Sequence, residues 1–143
     1  MPFADIILFM LYTGYRISEV LILTIENVNL EDGELFGGVK SKEGRNKLIP
    51  IHSKIRHIVE KHYSKDKKYL FDEDGQKIPT HHFYNDWNDT MNSLKMKHIP
   101  HETRHTFATY LDRINANDVC KDRLMGHTSV GTRRKVYTHK EIE

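Results

Sequence analysis

A short, almost wholly apolar segment near the start of the chain limits what this sequence can fold into. Residues 3–12 are typical of a helix that is apolar on nearly every side, and such a helix has to be covered by other elements. Gly14 follows it and suits the left-handed conformation that ends many helices. The stretch from Ile6 to Tyr12 is far too short to cross a bilayer. The sequence therefore predicts a buried helix inside a globular domain, and no membrane association.

The rest of the pattern predicts a mainly helical α+β domain with a small, three-stranded antiparallel sheet early in the chain. The strand candidates lie around residues 28–30, 35–39 and 47–51, and a polar tip at residues 40–46 joins the last two. Helix starts are predicted at Ser53, Thr80, Pro100 and Asn117 or Asp118. The apolar positions of these helices are Ile55, Ile58, Val59, Phe83, Trp87, Met91, Leu94, Phe107, Tyr110, Leu111, Ile114, Val119 and Leu124.

Composition fits one domain, because 143 residues with 38% hydrophobic and 29% charged residues are enough for a core of ordinary size. No linker or repeat divides residues 1–143. Cys120 is the single cysteine, which excludes an intramolecular disulfide and favours a reducing compartment.

The net charge of +2 hides an uneven distribution. Residues 1–39 carry −5, residues 40–70 carry +7, residues 71–100 carry −2 and residues 101–143 carry +2. This asymmetry permits a face that binds a polyanion, but charge alone favours a solvated lysine-rich surface.

Two early segments combine cations with turns. Arg16 opens a helix directly after a glycine turn, where backbone amides and a guanidinium favour an anion. The alternative is a surface arginine paired with Glu19 across one helical turn. Lys42 lies in the polar tip. It is either a solvated turn residue or a side chain that extends into a bound ligand.

A third segment, residues 101–105, reads His-Glu-Thr-Arg-His. His101 and Arg104 are three residues apart on a helix and share one face. The same five residues match the zinc-peptidase pattern, in which His101 and His105 would bind the metal and Glu102 would be the general base. Pro100 argues against that alternative, because it puts His101 at the very start of the helix.

The last segment contains His127, just past a predicted helix end at Gly126, and Tyr137, which precedes Thr138 and His139. Tyr137 is surrounded in sequence by basic residues, and that setting favours a phenolate. The alternative is a tyrosine that packs a terminal helix.

Taken in order, these segments resemble the catalytic domain of the tyrosine recombinases, the phage integrase family. That family carries a Thr-Gly-x-Arg-x-x-Glu box, a lysine in a β-hairpin, a His-x-x-Arg helix, a Leu-x-Gly-His box and a tyrosine before Thr-His. The matching residues here are Arg16, Lys42, His101, Arg104, His127 and Tyr137. The ten-residue step from His127 to Tyr137 is similar to that in integrases of conjugative transposons and of phages of Gram-positive bacteria.

The resemblance implies site-specific DNA recombination through a 3′-phosphotyrosyl intermediate. Tyr137 would be the nucleophile, Arg16 and Arg104 would bind the phosphate, and Lys42 would protonate the leaving oxygen. His127 would donate to a phosphate oxygen, whereas His101 would either bind the phosphate or accept the tyrosine proton. Glu19 and His105 would support the site. No metal or other cofactor is required by this mechanism.

The resemblance also implies double-stranded DNA as partner. Candidate contacts to the DNA backbone are Lys40, Arg45, Lys47, Lys121, Arg123, Arg133, Arg134 and Lys135. We expect residues 1–143 to be a catalytic domain that lacks the N-terminal core-binding domain and the usual C-terminal extension of the family. A full-length protein would act as a homotetramer on two duplexes in the bacterial cytoplasm, at the nucleoid, and the fragment would be a monomer.

Two alternatives stay open at this point. One is a DNA-binding module that has lost catalysis through truncation. The other is a zinc peptidase that uses His101, Glu102 and His105.

Overall fold

The structure, a computed structural model, describes residues 1–37 and 48–125 and is mainly helical. Its helices are α1 (Phe3–Thr13), α2 (Ile17–Val20), α3 (Arg56–His62), α4 (Thr80–Leu94), α5 (Glu102–Arg113) and α6 (Asp118–Met125). Its strands are β1 (Val28–Asn29), β2 (Glu34–Phe36), β3 (Leu48–Pro50), β4 (Asp72–Glu73) and β5 (Gln76–Lys77). The predicted α+β class is confirmed.

Helix α1 is the buried helix that the sequence predicts. Ile6, Phe9 and Met10 are fully buried, and the helix packs against α5. Gly14 ends it with φ of 74°, and its backbone N–H donates to the carbonyl of Met10. The predicted helix and its left-handed glycine cap are both confirmed, and they set the point from which the Arg16 segment leaves.

Strands β1, β2 and β3 form the predicted antiparallel sheet in that order. Leu35 of β2 pairs with Val28 on one side and with Ile49 on the other, and all three side chains are buried. A second two-stranded sheet, β4 with β5, was not predicted. Its turn is Asp74-Gly75, and both residues have positive φ, which matches the right-handed twist of a tight hairpin.

The main core lies between α1, the first sheet, α3 and α4, and a smaller cluster forms between α5 and α6. Four predicted core positions are wrong, because Leu94, Tyr110, Ile114 and Val119 are exposed. Leu94 and Ile114 lie at or just beyond the end of a helix, where side chains leave the packed face. Val119 lies on the opposite side of α6 from Lys121 and Met125, which are buried.

The predicted helix starts are partly confirmed. Asn117 accepts a hydrogen bond on Oδ1 from the backbone N–H of Cys120 at 2.8 Å, which is an N-terminal cap. Ser53 and Thr80 do not cap: α3 starts after Ile55 and α4 after Pro79, and neither helix has a side-chain cap. Proline at the start of α4 presets a helical φ and lacks the N–H that would need a partner. No helix in residues 1–37 and 48–125 has the length and apolar character needed to cross a membrane.

Candidate active site

Arg16 lies at the start of α2, directly after the turn that ends α1. Its side chain is 42% exposed, while that of its partner Glu19 is only 2% exposed. Glu19 Oε1 accepts hydrogen bonds from Arg16 Nη1 at 3.1 Å and from the Arg16 backbone N–H at 3.3 Å. The buried carboxylate of Glu19 therefore holds both the backbone N–H and the guanidinium of Arg16, while the Arg16 side chain stays partly exposed.

Arg104 is buried in α5 and is held by backbone carbonyls. Its Nη1 donates to the carbonyl of Gly14 at 2.7 Å, and its Nη2 donates to the carbonyl of Met125. Those acceptors are 90 and 21 residues away along the chain. Arg104 thus connects the end of α1, helix α5 and the end of α6 at one point.

Arg104 is bonded to the carbonyl of Gly14, two residues before Arg16, and the charges of the two arginines act on each other. Burial, with the positive charge of Arg16, lowers the pKa of Arg104 to about 10, and Glu19 opposes this shift. A guanidinium with that pKa remains charged at neutral pH. Two permanent cations that repel each other, with one buried carboxylate beside them, form a site that gains stability when an anion arrives.

His101 caps the N-terminal side of α5, one turn before Arg104. Partial burial is the first cause that lowers its pKa, and the charges of His105, Arg104 and Arg16 lower it further. The imidazole therefore stays neutral to lower pH than usual, with one ring nitrogen able to accept a proton. The charges of Arg16 and Arg104 thus both act on His101, and the charge of Arg16 also acts on Arg104.

The contacts of Glu102 and His105 do not favour the zinc alternative. Glu102 Oε2 accepts from the backbone N–H of Ile99 at 2.8 Å and lies 3.0 Å from His98 Nδ1. These interactions lower the pKa of Glu102, and they turn it toward its own helix start. The rings of His101 and His105 meet edge to face, with centroids 5.0 Å apart. Within the described part of the chain, no three metal-binding side chains come together.

The predicted DNA-backbone residues Lys121 and Arg123 have different surroundings. Arg123 is exposed on α6. Lys121 is buried, and its Nζ lies 2.6 Å from Asp112 Oδ1. That ammonium already has a carboxylate partner, whereas Arg123 is exposed, so Arg123 is the more accessible of these two predicted contacts.

Acidic partners neutralise part of the basic segment that follows the sheet. Arg56 pairs with Glu60 at 2.8 Å, Lys61 with Asp5 at 3.0 Å, and Lys67 with Asp72 at 2.8 Å. Asp5 and Asp72 fall outside residues 40–70, and Asp5 is 56 residues from Lys61, so the charge count by segment could not reveal these two pairs. The remaining predicted residues lie outside the described residues; they are Lys40, Lys42, Arg45, Lys47, His127, Arg133, Arg134, Lys135 and Tyr137.

Comparison with known proteins adds a family match over almost the whole chain. The phage integrase family matches residues 2–143. Tyrosine recombinase XerC of Pelobacter propionicus is 31% identical over 146 residues, which cover 92% of this chain and 45% of the relative. Tyrosine recombinase XerA of Pyrococcus furiosus is 30% identical over 142 residues, which cover 93% of this chain and 48% of the relative. The chain thus spans about half the length of these relatives.

Solved structures share the fold. The crystal structure of XerA recombinase has a TM-score of 0.73 at 23% identity, with 95% of this chain and 57% of the other covered. The Tn1549 transposon integrase in complex with circular intermediate DNA has a TM-score of 0.75 at 20% identity, with 97% and 56% covered. The catalytic domain of bacteriophage HP1 integrase has a TM-score of 0.69 at 21% identity, with 94% and 73% covered.

Proposed function

The chain belongs to the phage integrase family, and from that premise we propose that residues 1–143 work as the catalytic domain of a site-specific DNA recombinase. The observation that supports this most is the hydrogen bond from Arg104 to the carbonyl of Gly14, two residues before Arg16, together with the effect of both arginine charges on His101. The same function is supported by relatives named tyrosine recombinase and by a structural neighbour solved in complex with circular intermediate DNA.

The proposed reaction exchanges phosphodiester bonds without hydrolysis. The Tyr137 oxygen attacks a backbone phosphorus, a tyrosyl–phosphorus bond forms, and the bond to the 5′-oxygen breaks. A 5′-hydroxyl, from the same or a partner strand, then attacks the phosphotyrosine and releases Tyr137. Covalent catalysis splits the exchange into two transesterifications, and the phosphoester bond energy is kept.

Arg16 and Arg104 stabilise the charge that develops on the non-bridging oxygens. Each guanidinium is permanently charged and offers paired donors that match phosphate oxygens. Arg104 has two of its donors engaged by the carbonyls of Gly14 and Met125, so its orientation is set before DNA arrives. Preorganised donors of this kind cost no reorganisation during the reaction.

Lys42, His127 and His101 are assigned to proton transfer and to hydrogen bonding with the phosphate. Lys42 protonates the departing 5′-oxygen as general acid, and His127 donates to a non-bridging oxygen. His101 either binds the phosphate or accepts the Tyr137 proton, and its lowered pKa is compatible with both roles because the neutral ring can accept a hydrogen. Glu19 supports Arg16 through the bonds described above, and His105 supports His101 from one turn along the helix.

Double-stranded DNA is the proposed substrate. Arg123 is the described cation that best fits a contact to the DNA backbone, and Lys40, Arg45, Lys47, Arg133, Arg134 and Lys135 remain candidates from the sequence. We further propose that a full-length protein with this domain acts as a homotetramer on two duplexes in the cytoplasm, and that residues 1–143 alone are a monomer.

Covalent trapping tests the proposal. A nicked suicide DNA duplex that carries the protein's target site is incubated with the chain and with Tyr137→Phe, and both are run on a denaturing gel. We expect a shifted protein–DNA band with Tyr137 and none with Tyr137→Phe. Salt-dependent binding with no adduct in either protein would instead identify a DNA-binding module without catalysis.

A further inference from the structure

The connection between α4 and α5, residues 95–101, is exposed over most of its length, yet it ends on His101. Lys95 reverses the chain with φ of 55°, and residues 96–99 are all exposed. Pro100 is buried, and its carbonyl accepts from Thr103 Oγ1 at 2.8 Å. Exposed connections are usually the mobile parts of a fold, so this one needs anchors if His101 is to keep its place.

Trp87 of α4 supplies the first anchor. It is 5% exposed, packs in the main core beside Phe83, and donates from Nε1 to the carbonyl of His98 at 2.8 Å. A buried indole needs an acceptor for its N–H, and here the acceptor belongs to an exposed residue 11 positions later. The bond therefore ties the surface connection to the core.

Glu102, the first residue of α5, supplies the second anchor from the opposite end of the connection. Its Oε2 accepts from the backbone N–H of Ile99 at 2.8 Å and lies 3.0 Å from His98 Nδ1. The Glu102 backbone N–H in turn donates to the Ile99 carbonyl at 3.0 Å. A glutamate that bonds back to the N–H three residues before it is the acidic half of a capping box. Glu102 thus closes a turn that contains His101.

Both anchors act directly before His101. The chain runs to it from His98 through Ile99 and Pro100, and the ring of a proline restricts φ to about −65°. His101 itself has helical dihedrals, with φ of −62° and ψ of −21°. Little rotational freedom remains between the bonded groups and the His101 side chain, so a shift of the connection is passed on to His101.

We propose that Trp87 is a positioning residue for the reaction, which acts by holding the α4–α5 connection and with it His101. Glu102 holds the same connection from α5. The inference rests on the proposed function, since that function gives His101 its part in the reaction. A tryptophan that only fills the core would lower the stability of the fold without a specific effect on His101.

Two pairs of variants separate these roles. Trp87→Phe removes the donor, keeps an aromatic ring and changes no charge, and Val59→Ala removes buried apolar volume from α3 as its control. Since Trp87→Phe also reduces core volume, the second pair tests the connection from its exposed side. Glu102→Gln and Glu102→Ala remove the same charge, but only glutamine keeps an oxygen that can accept from Ile99. Urea unfolding of the four variants gives the folded fraction by which each rate is corrected.

The first measurement is the NMR titration of the His101 ring in the free protein, which needs no DNA. Burial lowers the pKa of His101 most, and the neighbouring positive charges lower it further. Trp87→Phe leaves those charges unchanged, so a ring that moves into solvent shows a pKa that rises toward 6.5. We expect this rise in Trp87→Phe, and in Glu102→Ala relative to Glu102→Gln, but not in Val59→Ala. An unchanged titration in Trp87→Phe would overturn the positioning, whatever the protein does to DNA.

The second measurement is the rate at which the suicide duplex forms a covalent adduct. After correction for the folded fraction, Trp87→Phe reacts about tenfold more slowly than the unchanged chain, because a small displacement of a site residue is costly. The corrected rate of Val59→Ala stays within about twofold, since its only effect is on stability. Glu102→Gln reacts faster than Glu102→Ala, because it keeps the acceptor for Ile99.

The outcomes distinguish this inference from the proposed function. Equal corrected rates for Trp87→Phe and Val59→Ala would overturn the positioning by Trp87 while leaving the recombinase intact. Equal rates for the two Glu102 variants would overturn the part assigned to Glu102. No adduct from the unchanged chain would overturn the proposed function, and the titration of His101 would still decide whether Trp87 positions that ring.

Discussion

The Nη1 atom of Arg104 lies 2.7 Å from the carbonyl oxygen of Gly14, across 90 residues of sequence. This hydrogen bond joins the end of α1 to α5 and sets the distance between the segments that carry Arg16 and Arg104. The α1–α5 packing supports the same junction, because the ring of Phe107 lies over Gly14. The geometry of the site therefore depends on the backbone at Gly14 as much as on the charges of Arg16 and Arg104.

The first prediction concerns Gly14→Ala. A Cβ at Gly14 would lie 2.4 Å from Cδ1 of Phe107, and φ is +74°. We expect a loss of about 3 kcal/mol in the free energy of unfolding, from backbone strain plus overpacking, and a loss of DNA cleavage beyond it. Urea denaturation and the trapping assay measure the two effects.

Gly75→Ala is the matched control for that prediction. Gly75 has φ of +80° but nothing within 4 Å of an added Cβ, so only strain remains, about 1 kcal/mol. Equal losses for the two variants would show that the Phe107 contact does not matter.

Much of the fold could be predicted from local pattern, and the failures have physical causes. The α1 helix and its cap follow from apolar periodicity and one glycine, both local. Val119 was expected to face inward because it is apolar, yet α6 instead buries Lys121 through its ion pair with Asp112. Residues 72–75 are typical of a turn and predict one, but the β4–β5 hairpin was not predicted because two-residue strands give almost no alternation.

The features of the site were likewise predicted only in part. The sequence supplied the identities of Arg16, His101 and Arg104 through spacing and family resemblance. It could not supply the carbonyl acceptors of Arg104, because backbone groups have no sequence signature and lie far away along the chain.

The second prediction concerns acid stability. Asp5 lies 2.7 Å from His62 Nε2 and 3.0 Å from Lys61 Nζ, and these contacts, that of His62 first, lower its pKa. A lowered pKa in the folded state contributes stability that is present above the unfolded value of 3.8 and is lost as pH falls through the folded value. The difference in unfolding free energy between the unchanged chain and Asp5→Asn therefore shrinks below about pH 4.

Lys61→Met is the control variant for the Asp5→Asn experiment. The Lys61 side chain is 66% exposed, whereas that of His62 is 14% exposed, so loss of Lys61 leaves most of the effect in place. The role assigned to Asp5 would be contradicted if the difference in unfolding free energy between the unchanged chain and Asp5→Asn grew as the pH fell.

The third prediction concerns the titration of His101. Burial lowers the pKa of His101 most, and the charges of His105, Arg104 and Arg16 lower it further, so Arg16→Ala raises that pKa part of the way toward its ordinary value of 6.5. Proton NMR of the ring across pH 4 to 8 measures it. Arg113→Ala, at the far end of the same helix, is the control, and an equal rise in both variants would rule out a specific effect of Arg16.

The fourth prediction separates two neighbouring cations of α6. Arg123→Ala reduces the slope of log affinity against log salt by about 0.9, as expected when one phosphate contact is lost. Lys121→Ala leaves that slope unchanged but lowers the free energy of unfolding, since it removes the partly buried ion pair with Asp112 at 2.6 Å. The reverse pattern in DNA-binding titrations would return Lys121 to the DNA interface.

The central claim is that Tyr137 becomes covalently linked to a 3′-phosphate beside Arg16 and Arg104. Mass spectrometry of a trypsin digest of the trapped complex tests it most directly, because cleavage after Lys135 and Lys140 isolates residues 136–140, with Tyr137 as their single tyrosine. We predict a nucleotide on that peptide through a phosphotyrosyl bond. A nucleotide attached to any other residue, or no attachment with a cognate suicide substrate, would contradict the account.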